Sequence, residues 1–237
     1  IRLVGSLLNH YLRIIDFKHA QRVDHFIANS QETARRIKKF YRRDSQVIFP
    51  PINISTSQEL KHDQAQATQK YPTDYYLYLG RLTYSKHPEL AVQAAAQLGF
   101  KLKVVGAGKM LPKLKDLATN QVEFLGSVTD EELTPLLAGA KALIFPVEDE
   151  DFGMVPVEAM AYGVPVIAHH SGGPLETIID GQTGLFFEEL TVDGLKQAWQ
   201  RFQKIEFDQV KIRAHAQRFS LTEFRQKIED LTNLNDS

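Results

Sequence analysis

The chain has 237 residues, a formal net charge of -1, 43% hydrophobic and 24% charged residues, and no cysteine. That balance describes an ordinary globular chain without the basic stripe of a nucleic-acid binder. The missing cysteine excludes disulfides, thiolate metal sites and a cysteine nucleophile, and no stretch approaches the ~20 apolar residues of a membrane span. The opening Ile1-Arg2-Leu3, without Met, reads as part of a longer protein.

In chain order, residues 23–28 are expected as a strand. Ser30 stands where a helix N-cap belongs, before a periodic segment at 32–41. Arg35, Arg36, Lys38, Lys39, Arg42 and Arg43 follow a helical pattern there. A solvated face is the simple reading, and contact with anionic lipid headgroups or a phosphorylated acceptor the sharper one. Residues 47–49 read as a second strand closed by Pro50-Pro51, which cannot continue a ladder. The Gln-rich stretch from Asn53 to Tyr71 reads as a linker with a modest helix, the linker running over 53–74.

From Tyr75 the alternation is regular. Strands are expected at 75–79, 101–105, 122–125, 142–145, 165–168 and 184–187. Helices are expected at 88–98, 110–118, 155–162, 174–179, 192–202 and 221–231. Thr129-Asp130-Glu131-Glu132 is a capping box that opens a further helix to Ala138. Strand–helix repetition with short connections means βαβ units and a Rossmann-like parallel sheet covered by helices on both faces. Ligands of such sheets bind beyond the carboxyl ends of the strands, where the strand order reverses.

Four loops in that position carry chemistry. Gly80-Arg81-Leu82-Thr83-Tyr84-Ser85-Lys86 follows the first of these strands. Its glycine permits close approach, and two cations suit a diphosphate, although two solvated loop cations would look the same. Val105-Gly106-Ala107-Gly108 invites a dinucleotide reading but fails its spacing, because the third glycine would fall at Leu111. The run from Glu148 to Asp151 places four acids together before Phe152-Gly153-Met154-Val155. Asp149-x-Asp151 could chelate a divalent cation, and Asp151-Phe152-Gly153 spells a kinase triplet without the rest of that set. Glu150 and Glu158, eight residues apart, could each accept paired sugar hydroxyls in bonds worth roughly 1.5–3 kcal/mol. Glu158 alone could equally complement a helix dipole. Ser171-Gly172-Gly173-Pro174 reads as an anion site at a helix start or as a tight turn. His169 and His170 follow a strand without the partners of a hydrolase triad.

Together these motifs resemble the C-terminal domain of GT-B-fold retaining glycosyltransferases of group 1, or family 4. The match is densest from Glu150 to Ala168, with the E-x7-E pair at Glu150 and Glu158. The wording Glu-Asp-Phe-Gly-Met-Val-Pro-Val-Glu-Ala-Met-Ala is most similar to bacterial mannosyltransferase-like members of polysaccharide biosynthesis. The resemblance implies that Arg81 and Lys86 neutralise a donor diphosphate in place of a metal, with no cofactor. It implies that Glu158 binds ribose hydroxyls and Glu150 binds hydroxyls of the donor sugar. Backbone around Phe152, Gly153 and Met154, with Val155 following, would line the pocket, and the loop Gly126-Ser127-Val128 would hold the base. Gly80, Gly106, Gly172 and Gly173 would allow close approach. The partners implied are a nucleotide sugar such as GDP-mannose, a glycan or lipid-linked acceptor, and an acceptor-side domain of which residues 1–52 are a remnant. Residues 75–218 would be the donor domain, and 219–237 a helix crossing back. We expect a cytoplasmic enzyme with peripheral contact at the inner face of the membrane, and weak transfer by this chain alone. A nicotinamide oxidoreductase, a sugar-nucleotide epimerase, a phosphorylase and a non-catalytic nucleotide-sugar-binding module are the rival readings.

Overall fold

Helix α1 (Arg2–Ala20) opens the chain. Strand β1 (Ile27–Ala28), helix α2 (Gln31–Tyr41) and strand β2 (Gln46–Val47) follow, the two strands paired in parallel. The computed structural model describes residues 2–52 and 73–235, so the linker and helix expected at 53–74 lie almost entirely outside the described residues. Ser30 caps α2 as expected, its hydroxyl accepting from Thr33 N–H at 2.9 Å. The strand expected at 23–28 shrinks to two residues. The reason lies in Arg43, whose guanidinium donates to the carbonyls of Ala20, Gln21, Val23 and Asp24 and so draws that segment away from extended pairing. Helix α1 had no counterpart in the sequence reading. The basic run on α2 is largely engaged inside the molecule: Arg35 and Arg36 meet Glu32, Lys38 meets Asp44, and Lys39 lies over Phe40.

The main sheet then begins. Its chain order is β3 (Tyr75–Leu79), α3 (Pro88–Leu98), β4 (Lys101–Val105), α4 (Leu111–Leu117), β5 (Val122–Gly126), α5 (Asp130–Ala138) and β6 (Leu143–Phe145). It continues through α6 (Met154–Ala161), β7 (Val166–His169), α7 (Pro174–Thr177), β8 (Gly184–Phe187), α8 (Val192–Phe202), α9 (Gln209–Ala216) and α10 (Leu221–Asn235). The six strands are parallel in the order β5-β4-β3-β6-β7-β8. The chain runs outward from β3 to one edge, returns to β6 on the other side of β3, and runs outward again. The order therefore reverses between β3 and β6, which sets the ligand crevice there.

Period-two alternation divides the strands between two cores. Leu77, Val105, Leu143, Phe145 and Val166 pack with Leu136, Val157, Met160 and Ile212 of α5, α6 and α9. Tyr76, Tyr78, Val104, Ile144 and Ile167 pack on the other face with Ala91, Ala95, Leu114, Leu195 and Ala198 of α3, α4 and α8. This double coverage is why the central strands β3 and β6 read as unbroken apolar runs. The capping box at Thr129 and Glu132 forms as expected.

Three rings tie the ends of the chain to this body. Phe152 lies 5.6 Å from Phe49 and 5.7 Å from Phe219, which are 5.4 Å from each other. Ile52 N–H donates to Phe219 O beside them, and Lys227 of α10 lies over the Phe49 ring. The last helix thus contacts the segment that ends at Ile52.

The loops after β3 and β4 run backbone to backbone. Gly80 N–H donates to Val105 O at 3.1 Å and Leu82 N–H to Ala107 O at 2.9 Å. A Cβ on Gly106 would fall 1.9 Å from Gly80 O, and one on Gly108 would fall 2.2 Å from Leu82 O. The GxG pair thus answers to the neighbouring backbone. Gly106→Ala should cost about 2–4 kcal/mol of stability, seen as a lower urea midpoint with an unchanged slope.

Candidate active site

Tyr78 is the first residue to position the crevice. Its ring is buried in β3, and its hydroxyl reaches Lys86 O at 3.3 Å and Arg81 O at 3.4 Å. Burial, reinforced by the charges of Glu89 and Glu150, raises its pKa, so the phenol stays protonated and able to donate. A buried tyrosine needs a partner for its hydroxyl. That rule was the available signal for Tyr78, and the sequence reading did not use it.

The 3-10 turn Tyr84–Lys86 carries Lys86 across the crevice. There its Nζ pairs with Glu150 Oε2, with side-chain exposures of 22% and 24% for the two groups. A salt bridge so placed spans the point where the strand order reverses, because Lys86 follows β3 and Glu150 follows β6. Arg81 is exposed on the same loop, and its guanidinium has no hydrogen bond or ion pair among the described residues.

The acidic loop is held from below by the glycine turn. Asp149 has a left-handed φ of 54°, uncommon for a side chain larger than glycine. Its N–H donates to Ser171 Oγ at 3.0 Å, and Gly173 N–H donates to Glu150 O at 2.7 Å. A Cβ on Gly172 would fall 2.4 Å from Glu150 O, and one on Gly173 would fall 2.3 Å from Phe152 Cα. This corrects the anion-site reading of that turn in one respect: Gly173 N–H is already engaged by Glu150. Asp151 is engaged by Arg36, so the Asp149-x-Asp151 pair is not arranged as a chelate.

Gly153, with φ 86°, turns the chain into α6. Phe152 contributes its backbone here, while its ring is 2% exposed in the core. Met154 is exposed and Val155 partly buried at the start of the helix. Glu158 sits one turn further, partly buried, with no hydrogen bond or ion pair among the described residues. Burial, and secondarily the charge of Asp130, raises its pKa. Val128 follows β5, half-buried against the core and separated from β3 by β4. His169 and His170 both turn to Glu188, at 3.1 Å and 2.9 Å, away from triad chemistry.

Glu158 gives a pH-dependent test. A carboxyl whose folded pKa is raised costs stability above that pKa, and the cost disappears as pH falls below the unfolded value. Glu158→Gln should therefore raise Tm at pH 7.5, where the buried carboxyl is charged at a cost. The gain should vanish near pH 4. Calorimetry across that range checks it.

Residues 61–219 match the family described as Glycosyl transferases group 1. The chain is similar to alpha-1,3/1,6-mannosyltransferase ALG2 of Kluyveromyces lactis, at 30% identity in a 202-residue alignment that covers 66% of this chain and 40% of that protein. It is also similar to glycogen synthase of Mycobacterium tuberculosis, at 36% identity over 132 residues, 52% of this chain and 32% of that one. The chain thus spans less than half the length of these relatives. Anabaena HepE, solved with UDP and glucose, superimposes with a TM-score of 0.78 at 22% identity, over 93% of this chain and 66% of that one. That likeness bears on fold, and it agrees with the Rossmann-like parallel sheet of GT-B glycosyltransferases. The chain belongs to the group 1 glycosyltransferases.

Proposed function

We propose that this chain is the nucleotide-sugar-binding part of a retaining glycosyltransferase acting on a glycan or lipid-linked acceptor. The observation that carries the proposal is the meeting of Lys86 with Glu150 across the reversal of strand order, with unpaired Arg81 and Glu158 at the same end of the sheet.

In the absence of donor, Lys86 and Glu150 satisfy each other. A nucleotide diphosphate sugar offers both a better partner. Its phosphate oxygens take Lys86 and Arg81, the Arg as a planar fork and the Lys as a point charge. Glu150 is then released to accept hydroxyls of the sugar. Glu158 has two oxygens for the adjacent hydroxyls of a ribose, which accounts for a carboxylate kept partly buried without a partner among the described residues. The backbone of Phe152, Gly153 and Met154, with Val155, lines the space between, and the Val128 loop receives the base.

Transfer with retention then proceeds on one face of the sugar. The bond from the anomeric carbon to the diphosphate breaks, and the acceptor oxygen attacks from the same side. The departing phosphate takes the acceptor proton. The task left to the protein is to stabilise negative charge on the leaving diphosphate, for which one well-placed donor is worth about 2.7–4 kcal/mol. Arg81 and Lys86 perform it here without a metal.

The mannosyltransferase relative makes GDP-mannose the first donor to test, and HepE with UDP and glucose makes UDP-glucose the second. No helix among the described residues is long and apolar enough to cross a membrane. A lipid-linked acceptor would be met by peripheral contact, at the cytoplasmic face.

Titration calorimetry with GDP, UDP and ADP and their sugar conjugates checks the proposal. One nucleotide should bind selectively, and Arg81→Ala or Glu158→Ala should weaken it by about 10–100-fold, the loss of one charge-assisted contact. Glu150→Gln should leave nucleotide binding intact and reduce the extra affinity conferred by the sugar. Equal affinities in wild type, Arg81→Ala and Glu158→Ala would overturn this assignment.

A further inference from the structure

Arg36 lies on α2, before the linker, yet its guanidinium reaches the acidic loop after β6. Nη1 donates to Asp151 Oδ1 at 2.5 Å and Nη2 to Asp149 O at 3.2 Å. Its third nitrogen, Nε, donates to Glu32 Oε1 at 3.1 Å, one turn back on the same helix. Glu32 therefore aims the fork, and the fork grips the two residues that flank Glu150.

The helix is itself docked on the same region. Gln31 N–H and Glu32 N–H donate to the two oxygens of Glu176 at 2.7 and 3.0 Å. Those are the first free amides of α2, and a carboxylate there also complements the helix dipole. Glu176 stands on α7, three residues beyond Gly173, whose N–H holds Glu150 O. One short stretch, residues 172–176, thus holds both the acidic loop and the helix that carries Arg36.

The grip falls on a conformation that needs support. Asp149 is held at φ 54°, a left-handed conformation unfavourable for a side chain larger than glycine. Its N–H is fixed by Ser171 and its carbonyl by Arg36. Without Arg36, one of the two backbone restraints on Asp149 and the partner of Asp151 disappear together.

We infer that Arg36 is a positioning residue, which acts from the segment before the linker to set the Asp149–Asp151 loop and so aim Glu150. The inference deepens the proposed function and rests on it for its consequence: Arg36 governs recognition of the sugar and leaves recognition of the nucleotide alone. Two of the four consecutive acids gain a physical reason, since Asp151 is the anchor for Arg36 and Glu150 the group being anchored. The seating of α2 and the aim of Glu150 are then one event.

Two measurements on Arg36→Met test it. Hydrogen exchange in the ligand-free chain should quicken about tenfold in peptides spanning 147–153, and stay unchanged in β3 and β7. Calorimetry with GDP against GDP-mannose, and UDP against UDP-glucose, should show nucleotide affinity within twofold of wild type and a tenfold loss of the increment due to the sugar. Glu176→Gln, which weakens the seat of α2, should move both readouts in the same direction. Unchanged exchange at 147–153 would overturn the inference, as would faster exchange across the whole sheet or an equal loss of nucleotide and sugar affinity. Failure of the wild-type chain to bind any of these nucleotides would instead overturn the proposed donor-binding role, and exchange in the ligand-free chain would still decide the role of Arg36.

Discussion

The closeness of loop backbones at the reversal of strand order is the constraint on which the rest of this structure depends. Sheet geometry brings the connections after β3, β4, β6 and β7 to one end of the molecule. Two pairs of these connections then touch main chain to main chain. Gly106 and Gly108 lie against Gly80 and Leu82, and Gly172 and Gly173 lie against Glu150 and Phe152. Hydrogen bonds lock both contacts. Because the backbones are fixed, the side chains they carry are fixed as well: Lys86 from one pair of loops meets Glu150 from the other. Rigid elements supporting polar groups on loops is the general way such sites achieve precision.

The charges at the crevice fall into two kinds. Lys86 and Glu150 are paired and partly buried, so each compensates the desolvation of the other. Glu158 is partly buried with no such compensation, and its raised pKa records the cost. That cost is what the proposed ribose contact would offset. Tyr78 belongs to neither kind. It stays neutral, and its work is to hold the carbonyls of the Arg81–Lys86 loop from beneath.

Much of the fold was legible in the sequence because the sheet is buried on both faces. Runs such as Tyr75–Leu79 and Leu143–Phe145 have no polar face to confuse the period, and the helices between them carry caps such as Thr129 with Glu132. The N-terminal part was less legible. The strand at Ile27–Ala28 is short because Arg43 takes nearby carbonyls, a contact across about twenty residues that local pattern does not reveal. Helix α1 leaves Leu8, Tyr11 and Leu12 exposed, so its apolar residues do not mark a buried face. In the site, residue types at strand ends pointed to Arg81, Lys86, Glu150 and Glu158. The partners Arg36, Ser171 and Glu176 were out of reach because their contacts span long separations, as between Arg36 and Asp151. Gly106, Gly172 and Gly173 were read as positions of close approach, and what approaches them is protein backbone.

The cluster of Phe49, Phe152 and Phe219 bears on how such chains can be recombined. It places one ring just after β2, one in the acidic loop and one just before α10, in a single packed unit. A donor-side segment exchanged between two relatives would bring its own residue at the middle position and lose the rings it was fitted to. Modular exchange in this architecture should therefore respect a boundary that is discontinuous in sequence. The residues around 49 and those from 219 onward would travel together, and the central ring would have to suit both.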